Sequence, residues 1–103
     1  MPPDLSVARE YKRRVASAFE GRVAKVVLYG SRARGDSHSD SDWDIAVFLV
    51  GEPSSDDLDQ LSDLGFALLL ETEQYIQVLP LAARREAEES ILLTSIRNEG
   101  IAL

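Results

Sequence analysis

Gly30-Ser31-Arg32-Ala33-Arg34-Gly35, with ten residues between Ser31 and the following Asp42-Trp43-Asp44, is the stretch whose reading decides the fold. The apolar run Val26-Val27-Leu28-Tyr29 feeds into the first segment, and Ile45-Ala46-Val47-Phe48-Leu49-Val50 leaves the second. Short apolar runs bounded by turn residues read as buried strands. A turn of small residues and two carboxylates therefore stand at the mouths of two strands, a layout suited to a triphosphate and divalent cations. Gly30 lets the backbone approach a ligand, and Ser31 offers a hydroxyl to a phosphate oxygen. Backbone N–H groups in such a turn form a concavity for anions. Strand residues two apart share a face, so Asp42 and Asp44 project together while Trp43 and Ile45 point the other way. Two neighbouring carboxylates repel each other unless a cation lies between them, and Mg²⁺ favours such carboxylates together with phosphate oxygens. Paired Mg²⁺ ions would stabilise the attacking and leaving oxygens of an in-line nucleotidyl transfer.

Other motifs fail at decisive positions. Gly30 and Gly35 have Walker A spacing, but Asp36-Ser37 follows where a lysine and a hydroxyl residue are required. Asp40-x-Asp42-x-Asp44 opens like a calcium-binding EF-hand loop, yet Ile45 replaces its glycine and Gly51 its final glutamate. A plain solvated turn accounts for Asp36 and Asp40, since Asp and Ser are common turn residues. It does not account for aspartates at the start of a strongly apolar strand, where Asp is disfavoured.

The remaining elements follow from periodicity. Residues 5–20 read as a helix capped by Asp4, with Ala8, Tyr11, Val15, Ala18 and Phe19 on its buried stripe and Gly21 at its end. Its Arg9, Lys12, Arg13 and Arg14 lie mostly off that stripe. Strands are predicted at 23–29 and 43–50, with one helical turn at 32–35 between them. A helix capped by Ser55 or Asp56 runs to about residue 71, with Leu58, Leu61, Leu64, Ala67 and Leu68 inward. Residues 74–81 read as a third strand ended by Pro80 near the sheet edge. A last helix through the late 80s and 90s buries Ile91, Leu92, Ser95 and Ile96 and ends at Gly100. Strands interleaved with helices give one α/β domain over residues 1–103, with a small mixed β-sheet packed by helices. His38 reads as an exposed loop residue, Trp43 as core, and Tyr11, Tyr29 and Tyr75 as core or edge aromatics. Arg32 and Arg34 flank the turn, where guanidinium groups can bind phosphate oxygens.

Composition narrows the class. The net charge is −7, with most basic residues in positions 1–35 and most acids after them. Such a chain is a poor non-specific nucleic-acid binder, and its acidic part suits a basic partner. With no cysteine there is neither a disulfide nor a thiolate zinc site. Met1-Pro2-Pro3-Asp4 is no signal peptide and no apolar run approaches membrane-spanning length, so a cytoplasmic location and no membrane association are expected.

The string Leu28-Tyr29-Gly30-Ser31-Arg32-Ala33-Arg34-Gly35-Asp36, continued by Ser41-Asp42-Trp43-Asp44-Ile45, resembles the signature of the DNA polymerase β nucleotidyltransferase superfamily. It is similar to the smallest members, the minimal nucleotidyltransferases (MNT proteins). The end, Ile96 to Leu103, is similar to the usual end of those domains. The resemblance implies a polymerase β-like nucleotidyltransferase fold, Gly30, Ser31, Arg32 and Arg34 around the nucleotide, and Asp42 and Asp44 as catalytic ligands of two Mg²⁺ ions. It further implies ATP as the nucleoside triphosphate and a helical HEPN protein as partner in a toxin–antitoxin pair, where such proteins transfer AMP to a tyrosine of their partner. Self-association is left open. The family's third carboxylate falls on Gln77 here, which can neither carry charge to a metal nor act as a base. Glu71 and Glu73 stand upstream as alternatives. Two other functions compete: a catalytically weak antitoxin that acts by contact alone, and an antibiotic-modifying nucleotidyltransferase. Chain length argues against the second, because no further domain closes over a small acceptor.

Overall fold

The computed structural model describes residues 4–38 and 40–103; residues 1–3, with the signal-peptide reading made on them, lie outside the described residues. Helix α1 spans Ser6–Ala18, strand β1 Val23–Tyr29, helix α2 Ser31–Arg34, strand β2 Trp43–Leu49 and helix α3 Ser55–Thr72. Strand β3 covers Ile76–Ala82, a 3-10 turn Ala83–Ala87, helix α4 Ile91–Glu99 and strand β4 Ile101–Ala102. The sheet order is β3-β2-β1-β4. β1 runs antiparallel to β2 and β4, while β2 and β3 run parallel, joined by α3.

Alternation along the strands divides the core. Val26, Leu28, Trp43, Ile45, Val47, Leu49 and Ile76 face α1 and α3. Val27, Ala46, Phe48 and Leu81 face Leu93 and Ile96 of α4. β2 is therefore covered on both faces, which explains its unbroken apolar run. Tyr11 is buried between α1 and α3; its hydroxyl donates to the Leu61 carbonyl at 2.9 Å, and burial pushes its pKa up. Gly65 interrupts the helix propensity of α3 because a Cβ there would lie 3.4 Å from that of Ile76. Its bare backbone brings α3 close to β3.

The sequence reading needs several corrections. Ala18 is exposed, because the α1 stripe passes from Val15 to Phe19. The cap of α3 is Ser54: its hydroxyl accepts from Asp57 N–H at 3.1 Å while Asp57 Oδ2 accepts from Ser54 N–H at 2.9 Å. Leu58 is exposed, since the next turn's Leu61 is the residue that meets Tyr11. β3 begins at Ile76 and passes through Pro80 to Ala82, which an edge strand allows when the missing N–H belongs to its open side. α4 buries Leu93 and Ile96; Ile91, in its first turn, is 93% exposed, and Leu92 is exposed too. After Gly100 the chain adds a fourth strand, β4, beside Val27 and Leu28.

Candidate active site

The turn after β1 is held by its own backbone. Gly30 has φ 73°, and its carbonyl accepts from the N–H groups of Ala33 and Arg34, both at 3.1 Å. Gly35, at φ 84°, closes the turn, and Ser31's carbonyl accepts from Gly35 and Asp36. Ser31 is thus the first residue of α2, half-exposed, and its hydroxyl has no hydrogen-bond partner among the described residues. A Cβ on Gly30 would collide with Asp44 Oδ2. Glycine is required there twice over: by its φ, and because the Asp44 carboxylate rests against the turn's backbone.

Asp44 is half-buried on β2, opposite Tyr29 of β1 and Gln77 of β3. These three share the sheet face on which α4 packs, since Trp43 and Ile45 belong to the opposite core. Burial raises the Asp44 pKa most, the Asp42 charge raises it further, and the Arg34 charge opposes both. Asp42 is exposed, one residue before β2. Tyr29's hydroxyl is likewise pushed up, by burial and then by the Asp44 charge. Asp42 and Asp44 are the oxygen donors here that could hold a hard divalent cation.

Gln77 lies at the register position beside Asp44, so an amide occupies the place where the resemblance led one to look for an acid. Glu71 is elsewhere, paired with Arg14 of α1 at 2.8 Å. Glu73 is the left-handed residue that ends α3, at φ 61°. Among the described residues no three His, Cys, Asp or Glu side chains gather into a metal-binding group.

The two turn arginines part company. Arg32, expected at the nucleotide, reaches to the opposite face. Its guanidinium stacks 4.2 Å from the Trp43 ring, donates to the Ser41 carbonyl at 2.8 Å and to Gln74 Oε1 at 3.3 Å. Gln74 Oε1 also accepts from Trp43 Nε1 at 2.9 Å. This network fastens α2 to the loop before β2. Arg34 stays near the aspartates, donating to Asp36 at 3.2 Å and to Glu99 at 3.4 Å. His38 is exposed, and its N–H donates to Ser41 Oγ at 2.8 Å. The sequence reading missed Gln74, Glu99 and the placement of Tyr29. Only Tyr29 carried a signal, since strand alternation puts it on the same face as Val27.

A family model described as "Polymerase beta, Nucleotidyltransferase" matches residues 14–97. The chain belongs to the polymerase beta nucleotidyltransferase family. Two proteins of Methanocaldococcus jannaschii that carry the name protein adenylyltransferase are similar to it. One is 40% identical over 62 residues, a match covering 60% of this chain and 57% of that relative. The chain thus spans little more than half the length of that relative. The other is 21% identical over 97 residues, covering 94% of this chain and 95% of the relative. Among solved structures, a toxin–antitoxin complex with AMP-PNP superposes with TM-score 0.65 at 16% identity, over 90% of this chain and 69% of that one. A complex of a tri-AMPylated HEPN toxin with its MNT antitoxin from Shewanella oneidensis gives TM-score 0.62 at 13% identity, over 96% of this chain and 71% of that one. These likenesses establish the polymerase β-like fold. Within this nucleotidyltransferase family fold, the Gly30-Ser31 turn and the Asp42/Asp44 pair lie at one end of the central strands β1 and β2.

Proposed function

We propose that this domain is an Mg²⁺-dependent nucleotidyltransferase that moves AMP from ATP onto a hydroxyl of a partner protein, acting as the antitoxin of a HEPN-type toxin. The observation that carries it is the Asp44 carboxylate packed on the Gly30 backbone, with Ser31 beside it and Asp42 close enough to raise its pKa. The names of the relatives and of the toxin–antitoxin neighbours support the substrate and the partner.

Asp42 and Asp44 fit Mg²⁺: two hard oxygen donors that repel each other gain from a cation between them. When bound, Mg²⁺ supplies charge neutralisation to the phosphates and the departing pyrophosphate. The chain's own residues do the rest. Gly30 and Ser31 receive the triphosphate through backbone N–H and hydroxyl donors. Arg34, loosely held at 3.4 Å by Glu99, can turn to a phosphate oxygen. Arg32 fixes the turn against β2 through Trp43, Ser41 and Gln74. The acceptor oxygen forms a bond to the α-phosphorus as the bond to pyrophosphate breaks, and the acceptor's proton must leave to a base. Gln77 cannot take that proton, and loss of a general base typically slows a reaction about 10²–10⁴-fold. Gln77 also favours a second reading, in which the domain neutralises its partner by contact alone.

Incorporation of labelled AMP from ATP into the purified partner separates the two readings. Slow transfer by the parent, raised by Gln77→Asp, is the expected result. Fast parent transfer that Gln77→Asp abolishes would contradict the role given to Gln77. No transfer in either form, with the partner still inhibited, would favour contact alone.

A further inference from the structure

β3 is an edge strand with one side open. Trp43 N–H donates to the Tyr75 carbonyl at 2.9 Å, and Trp43 and Asp44 stand opposite Ile76 and Gln77. Backbone bonding alternates along a parallel ladder, so Gln77 and Leu79 turn their backbone groups to β2, while Ile76, Val78 and Pro80 turn theirs to the open side. Pro80 has no N–H to give. The open edge therefore offers consecutive donors at Ile76 and Val78 before the gap at Pro80. These two residues flank Gln77, the neighbour of Asp44.

Along this edge α3 leaves a groove of about 340 Å³, lined by Asp63, Phe66, Leu69, Tyr75 and Val78 among others. Phe66 is 58% and Tyr75 50% exposed, and Leu70, next to the groove in sequence, is 71% exposed. Asp59 and Asp63 lie one helical turn apart and are exposed, and no cation pairs with either among the described residues. We infer that this edge and groove receive an extended basic segment of a partner polypeptide, paired as a further strand with Ile76 and Val78. Its apolar side chain rests on Phe66 and Tyr75, and a lysine or arginine meets Asp63. Added strands take affinity from main-chain bonds and specificity from alternate side chains. A second copy of this chain fits the edge poorly, because two-fold pairing would bring the same acids of α3 near one another. As the route by which an acceptor hydroxyl reaches the aspartates, the surface rests on the transfer reading; as a docking surface it can be tested by itself.

The probes are two short synthetic peptides with a central tyrosine, one alternating valine with lysine and the other valine with glutamate. Each is titrated into the isotope-labelled full chain while amide shifts and hydrogen exchange are followed. The lysine peptide is expected to bind at least roughly tenfold more tightly, to shift Ile76 and Val78 and to slow their exchange. Asp63→Lys should reverse the preference. Phe66→Asp, at an exposed position, should abolish peptide binding with the spectrum still folded and binding of ATP with Mg²⁺ unchanged. Equal binding of the two peptides, or shifts confined to other elements, would overturn the proposal. So would protection of Ile76 and Val78 that grows with protein concentration alone, which would assign the edge to a second copy. Loss of nucleotide binding with the peptide still docked would overturn the transfer reading and leave this surface standing.

Discussion

Asp44 is held in a site that disfavours its charge. Burial and the Asp42 carboxylate both raise its pKa, so the folded state keeps the Asp44 proton to higher pH than the unfolded chain does. The folded state then binds more protons in that interval, and this group's contribution to stability falls as pH rises through the two pKa values and stays unfavourable above them. Asp44→Asn is therefore expected to raise the melting temperature at pH 7, with the gain fading below the ordinary carboxylate range; thermal scans across pH check this. A lower melting temperature at neutral pH would mean that the carboxylate's contacts outweigh its desolvation. Arg32 gives a second prediction. If it acts through Trp43, Ser41 and Gln74, lysine cannot replace it, because an ammonium has neither the flat face nor the fork. Arg32→Lys and Arg32→Ala should each cost about 1–2 kcal/mol in denaturant melts, and Gln74→Ala should shift in the same direction. Full stability with weakened ATP binding would return Arg32 to the phosphate. The aspartates were legible because acids at the start of an apolar strand are out of place. The fate of Arg32 was not, since nothing in Gly30–Gly35 says which face of the sheet each arginine takes.

At the scale of elements, the start of α3 joins three segments. The Ser54–Asp57 capping box closes the helix, and Arg22, just before β1, grips both Asp57 oxygens at 2.8 and 3.0 Å. The Arg22 guanidinium and the Ser54 N–H hold the Asp57 carboxyl well below the usual carboxylate range. That stabilisation is present above the ordinary carboxylate pKa and is lost as pH falls toward the depressed value. Ser54→Ala should cost about 1 kcal/mol in a denaturant melt at neutral pH; an unchanged midpoint would show that the cap adds nothing beyond the ion pair. Sequence pattern located β1 and all of β2, running one residue past its end, because each is a short apolar run with turn residues at both ends. It placed α4 and its buried Ile96, but not Leu93. Ile91, Leu92 and Leu93 are consecutive, and only the docking of α4 on Val27 and Phe48 selects Leu93. β4 was illegible because two residues carry no alternation. Pro80 reads as a terminator in the chain alone, because nothing there shows that its missing N–H belongs to an open edge.

Across the whole molecule, the sequence's charge asymmetry folds back on itself. Basic residues of the first third meet acids of the remainder: Arg14 with Glu71, Arg22 with Asp57, Lys25 with Glu86 and Arg34 with Glu99. The basic N-terminal stretch is thus partly neutralised, while Asp59 and Asp63 of α3 and the Asp42/Asp44 pair stay exposed or half-exposed. Among the described residues no helix is long and apolar enough to cross a membrane. The fold therefore presents a groove carrying Asp63 between α3 and the β3 edge, and at one end of β1 and β2 a carboxylate pair with the Gly30 turn pressed on Asp44. Titration of ATP into the chain, with and without Mg²⁺, for the parent and for Asp42→Asn combined with Asp44→Asn, tests the central claim most directly. The parent should bind ATP more tightly with Mg²⁺, and the double variant, folded and no less stable, should lose that Mg²⁺-dependent gain, a change of at least about tenfold in affinity. Equal Mg²⁺-dependent affinity in the two proteins would contradict the assignment of the site.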